Sequence, residues 1–173
     1  SKMRVFYFTT NLYICNMSTI VTPYLTKLDS IELELPNIAR QAVIDNSSEI
    51  VLLIKSQLSS GFNSDGNSLS YEFGSGFYAA STQGFADRDS VFTPKDKGTP
   101  YNFSWSGETL DNLQMGKINN SSFDVTTIAY KKKLLEDIYG EIFDLTEEHN
   151  QYVNMELILP SLINYILDNL TQI

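Results

Sequence analysis

Glycine is distributed very unevenly along this chain of 173 residues: eight of its nine glycines fall between Gly61 and Gly116, and the ninth is Gly140. Inside a helix glycine costs about 1 kcal/mol relative to alanine, and in a turn it supplies the positive φ angles that other residues avoid. The chain should therefore be helical at both ends, with a turn-rich middle over 61–130. At 42% hydrophobic and 12% aromatic, it can bury one sizeable core and hardly two. The expectation is a single α+β domain over residues 19–173, built from an N-terminal helix or helix pair, a small antiparallel sheet with a hairpin, and C-terminal helices.

The first helical region spans 19–59. Pro36 suits the first turn of a helix, where its missing N–H costs nothing, and an apolar side follows through Ile38, Ala42, Ile50, Leu53, Ile54 and Leu58. Asn46-Ser47-Ser48 can divide it in two, because short polar side chains compete for backbone hydrogen bonds, and Ser47 or Ser48 can cap the second piece. Gly61 ends it. A weaker helical stretch covers 22–30.

In the middle region, Asn63-Ser64-Asp65-Gly66-Asn67 reads as a turn. Alternating residues over 69–73, 113–118 and 123–128 read as strands, and the last two flank Asn119-Asn120-Ser121-Ser122, so they form a hairpin. Residues 74–98 read as a long exposed loop. The third region begins with a short helix over 131–139 closed by Gly140. Thr146 then caps a longer helix that has Glu147 and Glu148 in its first turn. Met155, Ile158, Leu162, Ile166 and Leu170 form its apolar stripe, expected to be a core face, and Pro160 kinks or divides it.

Charge narrows the classes of partner. Twelve basic and 21 acidic residues give a net charge of −9, and every acid from Leu134 onward is unmatched by any lysine or arginine. Sequence-independent attraction to nucleic-acid phosphates is excluded on that balance, whereas an acidic C-terminal surface suits solvent or a basic partner. The lone cysteine, Cys15, rules out an internal disulfide framework and a multi-cysteine zinc site. Residues 1–18 read as an N-terminal extension: Ser1-Lys2-Met3 resembles a start with an expression remnant before it, and Met17 is a second plausible start. The apolar centre of 4–16 also fits an export signal, but Thr9, Thr10 and Asn11 interrupt it and no small-x-small cleavage pattern follows. No apolar run reaches the roughly 20 residues of a membrane helix.

The residues available for chemistry are few. His149 is the sole histidine, and among Glu147, Glu148 and Asn150 it is expected to be exposed rather than catalytic. No nucleophile elbow, Walker loop or dinucleotide fingerprint occurs. Asn63, Asp65 and Asn67 alternate like the oxygen ligands of a calcium loop, but the glycine stands at Gly66 and no glutamate closes the series, so a turn is favoured. Asp87-Arg88-Asp89 is self-neutralising. No catalytic, cofactor-binding or metal-ligating residue is expected, and no cofactor. The aromatic residues Tyr71, Phe73, Phe77, Tyr78, Phe85 and Phe92, interleaved with glycine and serine, suit either an adaptable contact surface or the core of a small sheet. Phe77, Tyr78, Phe85 and Phe92, with Trp105, are the candidate interaction residues.

Two phrases carry a resemblance. Lys97-Gly98-Thr99-Pro100-Tyr101-Asn102-Phe103-Ser104-Trp105-Ser106-Gly107-Glu108-Thr109-Leu110 resembles a "G-x-P-x-x-x-x-[ST]-G-x-L/F" segment of phage and prophage virion proteins. Tyr139-Gly140-Glu141-Ile142-Phe143-Asp144-Leu145-Thr146-Glu147-Glu148 resembles a "Y-G-x-x-I-F-x-L-T-x-E" phrase in small phage proteins from gut Bacteroidetes. With the order helix, Gln57-Leu58 and glycine turn, Ser106-Gly107 phrase, hairpin and C-terminal helix, the chain is similar over most of 19–170 to tail-completion, head-tail joining (neck) and minor capsid proteins of tailed phages. Ser106-Gly107 departs from the more usual Thr-Gly. The resemblance implies a non-enzymatic virion protein, assembled in the bacterial host cytoplasm, whose partners are other phage structural proteins and copies of itself in a ring. It implies neither sequence-specific nucleic-acid binding nor membrane association. The competing expectation is a secreted or surface binding module, with the N-terminal stretch as its export signal.

Overall fold

A computed structural model of the chain describes residues 2–69, 78, 83–84, 87–88, 97–99, 101, 103 and 108–171; for 2–20 and 129–131 it describes the backbone alone. The architecture is α+β. Helix α1 (Lys2–Asp45) leads into α2 (Ser47–Ser59), and a single turn, α3 (Glu108–Asp111), precedes strands β1 (Gln114–Ile118) and β2 (Phe123–Thr126). Helix α4 (Ala129–Tyr139) follows, then α5 (Glu147–Tyr152), a π-helical stretch (Val153–Ile158) and α6 (Leu159–Leu170).

The division at Asn46 is present, with a different cap from the one expected. Asn46 itself takes the N-cap position, and the carbonyl of Asn46 accepts from the N–H groups of Glu49 and Ile50. Its side chain turns back to donate to the Ala42 carbonyl at 2.8 Å, so neither Ser47 nor Ser48 caps the helix. Gly61 ends α2 at φ 83°, a conformation that glycine adopts freely. Pro36 does not start a helix: α1 runs through both Pro23 and Pro36 and takes in the expected 22–30 segment. A proline inside a helix deprives the carbonyl four residues earlier of its donor. Pro36 and Glu32 are both exposed, so water can replace that bond.

Ile50, Ile54 and Leu58 of α2 form the centre of the core with Val43 of α1, and Leu69, Leu110, Leu113, Val125, Ile142, Phe143 and Val153 close around them. The two strands pair antiparallel in the hairpin expected from sequence, and the Asn119 N–H donates to the Ser122 carbonyl at 2.7 Å to close its turn. The register slips by one residue between Met115 and Ile118. At this bulge Asp124 accepts from the Lys117 N–H at 2.6 Å, and a Cβ on Gly116 would lie 2.6 Å from the same carboxylate. A larger residue there would push the Asp124 carboxylate aside and away from the Lys117 N–H. The 63–67 turn also forms, with Gly66 at φ 76° and the Asn67 N–H bonded to Asn63 Oδ1 at 2.8 Å. Of the expected strand over 69–73 only Leu69 is among the described residues; it is buried, and its N–H donates to the Gly61 carbonyl.

Gly140 closes α4 at φ 76°, and Thr146 caps α5 by accepting from the His149 N–H at 3.3 Å. The stripe that follows is a core face only in part, with Ile158 packed against the core. Met155 and Leu170 are exposed, Ile158, Leu162 and Ile166 are half-buried, and the buried residue of the segment is Val153. The π-helical stretch explains the difference. The Leu159 N–H reaches five residues back to the Asn154 carbonyl, which inserts one residue per turn and rotates everything after it by about 100° relative to a 3.6-residue repeat. Pro160, in the first turn of α6, divides the segment there. Helix α6 lies along α1. Since α1 enters the core at its C-terminal end, through Ala42 and Val43, and the last helix leaves it at Val153, the two run antiparallel.

Candidate functional site

Of the five candidate interaction residues, Phe77, Phe85, Phe92 and Trp105 lie outside the described residues. Tyr78 is half-buried and held at both ends. Its N–H donates to the Thr99 carbonyl at 2.9 Å, its carbonyl accepts from the Gly98 N–H at 3.0 Å, and Gly98 takes φ 84° to allow this. The chain is thus paired with itself at the base of the expected 74–98 loop. The Tyr78 ring meets Tyr101 edge-on at 5.0 Å, Tyr101 meets Tyr139 at 6.4 Å, and Tyr139 meets Phe103 at 5.1 Å. Edge-to-face contacts of this kind are favoured by the ring quadrupoles. They tie both phrases that carry the resemblance, through Phe103 and Tyr139, to one aromatic row. Phe103 adopts φ 50°, the one positive φ at a non-glycine among the described residues, so its packing holds it in a conformation it would otherwise leave.

An open cleft of about 890 Å³ lies where the hairpin turn, the 63–67 turn and the C-terminal helices approach the end of α1. Asn119, Asn120, Ser121 and Ser122 of the hairpin turn line it together with Asn150, Asn154, Arg40 and Asp65. These amide and hydroxyl groups, each able to donate and accept, stand among apolar side chains that include Phe123, Phe143 and Ile158. Arg40 is exposed and makes no ion pair among the described residues. Asn154 faces the cleft from the π-helical stretch, an irregularity that often marks functional positions.

Gln57 frames the region. Only 3% exposed, it donates from Nε2 to the Asp144 carbonyl at 3.0 Å and accepts at Oε1 from the Thr146 N–H at 3.1 Å. It thereby clamps α2 to the loop that starts α5. A smaller recess of about 450 Å³ beside it is lined by Ser56, Ser60, Thr146, Glu148 and His149. His149 is half-buried rather than exposed, and its Nδ1 is buried without a hydrogen-bond partner. The ring bonds to no hydroxyl or carboxylate among the described residues, so no nucleophile and base are paired there. Across the same face Tyr152 donates to Glu49 Oε1 at 2.7 Å. That bond, and the charge of Glu49 beside it, raise the phenol above its ordinary range. Among the described residues no three histidine, cysteine, aspartate or glutamate side chains are grouped to hold a metal ion. None of the helices over these residues is long and apolar enough to cross a membrane.

The Gln57 clamp and the cleft residues Arg40 and Asn154 were not legible as site residues. Each acts with partners far away in sequence, and the only local signal was the position of Gln57 just before a glycine turn. Comparison with protein-family models, with curated proteins and with solved structures returns no match.

Proposed function

We propose that the chain is a non-enzymatic structural or assembly protein of a tailed phage or prophage, placed at the head-tail junction or tail terminus and acting through contacts with other virion proteins and with copies of itself in a ring. The observation that carries this reading is the pair of sequence phrases, 97–110 and 139–148, in their order relative to the helices and hairpin. Their described residues do the work of joints. Ile142 and Phe143 are buried, Gly140 and Thr146 stop and start helices, and Phe103 and Tyr139 meet edge-to-face. Residues in these roles set a shape to be assembled rather than a reaction to be catalysed. On this reading the 74–98 loop and the hairpin turn, with the cleft beside it, face neighbouring subunits, and the acidic C-terminal region faces solvent or a basic partner.

Quantitative mass spectrometry of phage particles induced from the native host and purified on a density gradient tests the proposal. Peptides of this chain at a fixed, low copy number relative to the major capsid protein are expected. Intact particles without them, with the chain instead in the medium or on the cell envelope, would overturn it in favour of an exported binding module.

A further inference from the structure

Most asparagine side chains of this fold are already engaged. Asn37, Asn46, Asn63, Asn112, Asn119 and Asn169 each use the amide in a hydrogen bond within four residues of their own position. Asn67, Asn120, Asn150 and Asn154 make no side-chain hydrogen bond among the described residues, and the last three of these line the cleft. Asn150 and Asn154, both exposed, are four residues apart on the C-terminal helix, which sets them about 6 Å apart along it. In an extended peptide every second residue presents its N–H and C=O to the same side, and that repeat is about 6.6 Å. A primary amide carries one acceptor oxygen and two N–H donors, the complement of the N–H and C=O of a peptide residue. Two free amides at this spacing therefore match two alternate residues of an extended chain.

We propose that the cleft binds an extended peptide segment of a partner protein, with Asn150 and Asn154 paired to its backbone and a basic side chain of the segment set against the acids of the cleft. Charge selects the basic segment. Asp65, Asp144 and Glu147 line the cleft with a single cation, Arg40, and none of the four makes an ion pair among the described residues. That surplus of carboxylates repels an acidic segment or a phosphate backbone and attracts lysine or arginine. Phe123 and Ile158, both half-buried, line the same cleft and offer apolar side chains of the segment a surface to cover. At about 890 Å³ the cleft falls within the roughly 300–1,000 Å³ of concavities that seat a ligand. The inference gives a chemistry to the partner that meets the hairpin side of the molecule, and it rests on the part of the proposed function that assigns action through protein contacts.

An NMR titration of the full, 15N-labelled chain, followed through its side-chain amide signals, tests it. The probe is a pool of acetylated, amidated peptides in which lysine alternates with valine, leucine or phenylalanine. The pool is expected to shift the amide signals of Asn150 and Asn154 saturably and to leave that of Asn67, outside the cleft, in place. Asn150→Ser/Asn154→Ser changes two exposed residues, so the backbone spectrum should stay dispersed while binding weakens roughly 10- to 100-fold. A pool with glutamate in place of lysine should bind at least about 10-fold more weakly. A pool N-methylated at alternate residues, which cannot donate from those backbone positions, should lose binding to a similar extent. No shift of either amide with the lysine pool at about 1 mM overturns the inference. Binding that survives the double substitution, the N-methylation or the change of charge also overturns it, as does a shift produced by maltoheptaose and not by the peptides. Particle composition does not enter this measurement, so its failure is separate from failure of the virion reading.

Discussion

Replacing Gln57 by leucine tests whether the α2 clamp holds the C-terminal helices in place. The side chain is 3% exposed and makes two hydrogen bonds, at 3.0 and 3.1 Å, to backbone groups on either side of Leu145. Leucine keeps the length and removes both. Each lost bond costs about 1 kcal/mol, and the half-buried Thr146 N–H left without an acceptor adds about another 1 kcal/mol. The Asp144 carbonyl sits on an exposed residue and recovers a bond from water, while the leucine gains some apolar burial, so the net loss is about 2–3 kcal/mol. For a chain of this size that lowers Tm by roughly 5–10 °C, and with an m-value of about 2 kcal/mol/M it moves the urea midpoint down by about 1 M. The assay is equilibrium urea unfolding followed by circular dichroism, with Gln41→Leu as control. Gln41 is exposed and bonds only Asp45, so its loss should stay within about 0.5 kcal/mol. If Gln57→Leu costs no more than Gln41→Leu at unchanged m, the clamp does not hold α5 against α2 and the reasoning is wrong.

Two further predictions concern the hairpin and the face beside the clamp. Gly116→Ala should destabilise by about 1–3 kcal/mol because its Cβ would stand 2.6 Å from the Asp124 carboxylate, and combining it with Asp124→Ala should recover part of that loss in a double-mutant cycle read by urea unfolding. Tyr152 should be a late-ionising tyrosine when absorbance at 295 nm is followed with pH, and Tyr152→Phe or Glu49→Gln should remove that late component. The sign follows from the raised value: the neutral phenol donates to Glu49, so the contribution to stability is present below pH 10 and lost as pH rises through the folded-state value. A titration curve unaltered by either substitution would show that the bond does not persist in solution.

Features written in a few adjacent residues were legible in the sequence. The break at Asn46, the glycine stops at Gly61 and Gly140, the Thr146 cap and the 119–122 hairpin each follow from local backbone chemistry, which acts whatever the rest of the chain does. Pro36 failed as a start signal because its penalty is modest where water reaches the freed carbonyl, and the apolar face of α1 continues through it. The C-terminal stripe holds only in part, at Ile158, Leu162 and Ile166, because periodicity assumes a constant repeat and the π-helical stretch breaks it. At the candidate site, the Gln57 clamp and the row Tyr78, Tyr101, Tyr139 and Phe103 join residues far apart in sequence, where no spacing rule reaches.

The length of α1 has a mechanical consequence. Its 44 residues make a rod of about 66 Å, and among the described residues it is held at its C-terminal end by Ala42 and Val43 and again, further along, at the buried Ile31. A rod braced along its side by a second helix cannot swing about the Asn46 joint alone, so a sideways load on its outer part is shared between α6 and the core. Arg40 lies on the braced stretch between Ile31 and Ala42, which keeps this wall of the cleft stiff.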